Sequence, residues 1–100
     1  MELIIIDKMN YLSKEFKVAV AIYDITIIQC QEATKARLNH LTPTHMNSGE
    51  VISSLHFLES WGIVKRRIPL NKIVHYVISE ADLQSIQLLH HMCWGNTKTG

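Results

Sequence analysis

Cysteine is scarce in this sequence, with two among its 100 residues, Cys30 and Cys93. They stand far apart and neither belongs to a C-x-x-C pair, which argues against a disulfide and leaves both expected as buried thiols. Long apolar runs are missing as well. The most apolar stretch, Val18 to Ile28, contains Asp24 and falls short of the roughly 20 residues that span a bilayer. The opening MELIIIDKMN has no basic n-region, no long h-region and no small-residue cleavage site, so no signal peptide is read there and the cytoplasm is the expected location. A large charge of one sign is lacking too. The formal net charge is +1, which excludes a strongly basic nucleic-acid coat and confines any nucleic-acid contact to local charge. Nucleophile motifs, phosphate loops and paired carboxylates on one identifiable face are absent, so the chain is expected not to be an enzyme.

What is present is a core. Hydrophobic residues make up 47% of the chain, too many for a disordered protein. No repeat or Gly/Ser linker divides it, so residues 1–100 are read as one domain, with 1–10 as an N-terminal extension and GNTKTG at 95–100 as a frayed tail. From Phe16 to Cys30 the spacing of Phe16, Ala19, Val20, Tyr23, Ile27 and Cys30 predicts a helix, and Val18, Ala21, Ile22 and Ile25 make it apolar on its other sides as well. Glu32 to Leu41 reads as a short second helix stopped by Thr42-Pro43. The turn formers of PTHMNSG, residues 43–49, precede a third helix from about Gly49 to Trp61, capped by Asn47 or Ser48. Its inward stripe is Val51, Leu55 and Leu58, with Ile52 and Trp61 beside it. Gly62 ends that helix, since glycine takes the left-handed conformation without a Cβ penalty. Ile63–Ile68 and Ile73–Ile78 are rich in β-branched residues and read as a hairpin joined by Pro69-Leu70-Asn71-Lys72, and Glu80 to Trp94 closes the chain as a helix with Ser79 as its N-cap. The fold class is mainly α with a small β-hairpin (α+β).

The order helix, short helix, turn, helix, hairpin, helix resembles the winged helix-turn-helix fold. The resemblance is carried by Leu55-x-x-Leu58-x-x-x-Gly62-Ile63-Val64, the basic strand that follows, and HYVIS at 75–79. That block is similar to the one that closes the recognition helix and opens the wing in ArsR-like, MarR-like and PadR-like transcriptional regulators. The resemblance implies double-stranded DNA as partner, with helix 49–61 in the major groove and wing 64–78 on phosphates. Under it, the residues that would reach bases are Thr44, His45, Asn47, Ser48, Glu50, Ser53 and His56, side chains chemically able to read base edges. The same Asn, Ser and Thr also serve simply as caps, and this helix carries no Lys or Arg. Lys65, Arg66, Arg67 and Lys72 form the cationic cluster of the wing, either contacting phosphates or protecting an edge strand from aggregation. Strand alternation places Lys65 and Arg67 on one face and Arg66 on the other. Lys14, Lys17, Lys35 and Arg37 are either further backbone contacts or ordinary solubility residues.

His90-His91-Met92-Cys93 invites a metal reading, but adjacent helical histidines point about 100° apart and no compact ligand set is present. No metal and no cofactor is expected. The surplus of apolar surface on the first and last helices suits a homodimer interface through Val18, Ile22, Ile25, Ile86, Leu89 and Cys93. Alternatively, the first helix is the central core helix, covered by its own chain. The function expected is a dimeric DNA-binding transcriptional regulator, and the alternative is a winged-helix protein-interaction module in a multisubunit assembly.

Overall fold

The structure, a computed structural model, describes residues 13–41 and 46–93. The elements are α1 (Lys14–Tyr23), which continues as a π-helical turn (Asp24–Ile28), β1 (Ala33–Thr34), α2 (Lys35–Leu41), α3 (Ser48–Ser60), β2 (Val64–Arg67), β3 (His75–Ile78) and α4 (Glu80–Cys93). The molecule is mainly helical, with one small antiparallel sheet ordered β1-β3-β2. No described helix is long and apolar enough to cross a membrane.

Helix α1 starts where the Ser13 hydroxyl accepts from the Phe16 backbone N–H, an N-cap that satisfies one of the orphan donors of the first turn. Every residue from Val18 to Tyr23 is buried, which is the consequence of a helix apolar on all sides. α2, α3, α4 and β3 all pack on it. At its end the hydroxyl of Thr26 donates to the carbonyl of Ile22 at 2.8 Å and the Gln29 N–H reaches the carbonyl of Asp24, so the helix widens before it stops. Cys30 takes a left-handed φ of 55° there.

These facts revise the expected dimer surface. Val18, Ile22, Ile25 and Ile86 are buried within the single chain, and Leu89 packs half-buried against the same core. Val18, Ile22, Ile25 and Ile86 hold the fold together and offer no face for a second copy. Cys93 ends α4, and its side chain lies outside the described residues, as do residues 1–10 and 95–100. Cys30 is exposed, not the buried thiol expected.

The expected second helix is shorter than its spacing predicts. Ala33 and Thr34 pair with Tyr76 and His75, which makes a three-stranded sheet where the sequence suggests only a hairpin. The Thr34 hydroxyl then accepts from the Arg37 N–H, so one residue closes a strand and caps α2.

Helix α3 begins with a reciprocal cap. The Asn47 side chain accepts from the Glu50 N–H at 2.8 Å, and the Glu50 carboxylate accepts from the Asn47 N–H at 3.1 Å, satisfying two donors at once. The helix ends as expected at Gly62, whose φ is 78°. The Gly62 N–H bonds to the carbonyl of Glu59 and the Ile63 N–H to that of Leu58, the paired closure that suits glycine at this position. Between these ends Val51, Ser54, Leu55 and Leu58 face the core.

Candidate nucleic-acid interface

The outward face of α3 is a shallow groove lined by Gly49, Ile52, Ser53, His56, Phe57 and Ser60. Ile52 and Trp61, both expected beside the inward stripe, are exposed, as is Phe57, whose ring lies 5.8 Å from that of Trp61. A step of 100° per residue carries Ile52 away from Val51 and out of the core. Ser53 and His56 are exposed where expected. Thr44 and His45 lie outside the described residues.

Asn47 and Glu50 have structural duties. Besides their mutual cap, Glu50 forms an ion pair with Lys14 of α1. The Lys14 ammonium, and after it the Asn47 N–H, hold the Glu50 carboxyl below the ordinary carboxylate range, and Glu50 in turn raises Lys14. A carboxyl lowered in the folded state contributes stability above its unfolded pKa and loses it as pH falls through the folded value, so this end of α3 loosens in acid. Replacing Asn47 with Ala is expected to lower stability by about 1 kcal/mol in denaturant titration. An unchanged midpoint would show that the cap is dispensable.

On the hairpin, Val64 pairs with Ile78, Lys65 with Val77, Arg66 with Tyr76 and Arg67 with His75. The expected alternation is present: Arg66 shares the face of Val64 and Tyr76, and Lys65 and Arg67 share the other. Arg66 Nε donates to Glu59 Oε1 at 2.8 Å, which ties β2 to α3 and takes up much of its charge locally. Burial, and secondarily the charge of Glu59, raise the Tyr76 phenol above its ordinary value, so it stays neutral opposite Arg66. Lys65 and Arg67 line a groove with Glu80 and Asp82, although Asp82 is engaged by the Ser79 hydroxyl at 2.5 Å. At the outer end of the hairpin Arg66, Arg67, Ile68, Pro69 and His75 line a second groove. His75 Nδ1 lies 3.1 Å from Glu32 Oε2 at the sheet's base, an ion-pair distance without hydrogen-bond alignment.

Of the other cations, Arg37 donates to the Glu32 carbonyl at 2.9 Å. His90 is buried, with Nε2 2.8 Å from Asp24 Oδ1 and its ring 5.0 Å from that of Tyr23, whereas His91 is exposed. The two histidines thus diverge, and among the described residues no three His, Cys, Asp or Glu converge as a metal set.

Three apolar residues near the hairpin tip, Ile68, Leu70 and Ile73, are exposed and were not singled out from the sequence. The usable signal was Leu70 between Pro69 and Asn71, an aliphatic residue where turns favour polar ones. Compared with known protein families, curated proteins and solved structures, the chain matches none.

Proposed function

We propose that this chain is a winged-helix protein that binds double-stranded DNA in the cytoplasm and regulates transcription by occupying its site, without chemistry on the DNA. The observation that carries the reading is the join of α3 to a basic hairpin: the exposed groove of α3 is followed directly, through Gly62, by a strand bearing Lys65, Arg66 and Arg67. The succession α1, β1, α2, α3, β2, β3 and the sheet order β1-β3-β2 support it, because a helix-turn-helix followed by a wing calls for that order of elements. In this reading α3 lies in the major groove, with Ser53 and His56 toward base edges and Ile52 toward thymine methyl groups. Arg67 and Lys72, with Lys65, meet phosphates.

The reading includes a homodimer, on a different surface from the one the sequence suggests. Ile27, Ile28 and Leu88 remain about half exposed near the end where Asp24 meets His90, and a two-fold contact there leaves α3 free. Selection of bound fragments from a random duplex library tests both parts. Enriched sites made of two symmetric half-sites about one helical turn apart are expected; single half-sites would remove the dimer, and recovery of nothing above input would remove DNA binding.

A second reading has its own observation. Ile52, Phe57 and Trp61 give α3 exposed apolar surface, which suits a helix that docks on another protein. Such binding would persist at high salt.

A further inference from the structure

We propose that the tip of the hairpin is an apolar wedge, with Leu70 entering a base step from the minor groove while Arg67 and Lys72 hold the flanking phosphates. This rests on the DNA-binding reading and adds a mode of contact that it does not require.

Single exposed apolar residues are ordinary on protein surfaces. Here three gather within six positions of a protruding turn: Leu70 is fully exposed, Ile68 is 66% exposed and Ile73 is 54% exposed. The turn that carries them is ordered by its own bonds. The Lys72 N–H donates to the Pro69 carbonyl at 2.9 Å, and the Asn71 side chain accepts from the Ile73 N–H at 3.1 Å. Lys72 takes a φ of 63° to close it, a conformation costly for a residue with a Cβ. Leu70 is therefore presented on a preformed turn, and little ordering remains to oppose its insertion.

Charge selects the occupant. From Lys65 through Ser79 the chain has four Lys or Arg and no Asp or Glu. Glu59 pairs with Arg66 and Glu32 lies beside His75, but the turn itself, Ile68 to Ile73, adds no carboxylate, and Leu70 stands between Arg67 and Lys72 in the chain. A duplex offers the matching pair of environments, stacked bases within and phosphates on both sides. Minor-groove proteins use Leu and Ile as such wedges, which unstack a step and kink the duplex by roughly 20–90°. With α3 in the major groove, the hairpin leading away from its C-terminal end is placed to reach the neighbouring backbone.

The test uses duplexes recovered by selection, labelled at both ends so that bending shortens the distance between the dyes. Wild type is expected to bend them, and Leu70→Ala to bind about tenfold more weakly and leave them nearly straight, with an unchanged thermal melt because Leu70 packs on nothing. Leu70→Met is expected to restore bending. On the same duplex carrying a mismatch at the kinked step, where unstacking is already accomplished, the deficit of Leu70→Ala is expected to shrink to about twofold. Equal bending and affinity for wild type and Leu70→Ala would overturn the wedge and leave the tip as a protein-docking knob, with DNA binding intact. An equal deficit on matched and mismatched duplexes would also overturn it. Failure of wild type to bind any duplex would sink the DNA reading, and the wedge with it.

Discussion

Truncating Leu55 to alanine is expected to remove about 3 kcal/mol of stability and to lower Tm by roughly 12–24 °C. Leu55 is 1% exposed and lies on the inward stripe of α3 with Val51 and Leu58, within the core that surrounds α1. The loss combines the transfer of the deleted atoms with the cavity they leave, which a small core between several helices closes only in part. For a domain whose total stability is on the order of 5–15 kcal/mol, this is a large fraction. Leu70→Ala supplies the control, because the same chemical change at a fully exposed leucine should stay within about 0.5 kcal/mol. Calorimetry on the two variants compares them directly. Similar melting temperatures would mean that α3 does not anchor in the core as described.

The second large effect is functional. Ser53→Glu places a carboxylate in the middle of the exposed groove of α3, where the proposed partner is a polyanion. Repulsion and the burial of an unpaired charge against DNA are expected to weaken binding by at least about 100-fold. The side chain is exposed, so the melt should barely move. Ser53→Ala, which adds no charge, should fall far short of that loss. If anisotropy titration finds Ser53→Glu binding DNA as wild type does, α3 is not the surface that meets it.

How much of this was legible in the sequence depends on whether the signal was local. The start and end of α3 were, because Asn47, one of the two caps offered, and Gly62 act within three or four residues of where they stand; the reciprocal bond of Glu50 to the Asn47 N–H was not read. The hairpin and the alternation of its cations follow from the period of two. The first strand was not legible: Ala33 and Thr34 are strand only because β3 lies beside them, and two residues carry no periodicity of their own. The residues expected at a dimer interface turned out to be core for a related reason. A helix apolar all round states that it is buried without saying by what, and here its own chain covers Val18, Ile22 and Ile25. Long-range pairs were invisible too. Glu59 with Arg66, Lys14 with Glu50 and Asp24 with His90 join residues that no spacing rule connects, and the first two change what the candidate DNA-contacting residues are free to do. Asn47 and Glu50 illustrate the ambiguity of polar residues at a helix start, where one chemistry serves both capping and base reading.

The measurement that bears most directly on the central proposal is DNA affinity as a function of salt for wild type and for the Lys65→Ala/Arg67→Ala/Lys72→Ala variant. Each phosphate contact contributes roughly 0.9 to the slope of log affinity against log salt, so losing three cations should flatten the slope by about 2.7. That flattening, together with weaker binding at low salt and an unchanged melt, is the predicted result. Binding that is insensitive to salt, or a slope that the three substitutions leave as it was, would contradict the wing as a phosphate contact and favour the protein-docking reading of α3.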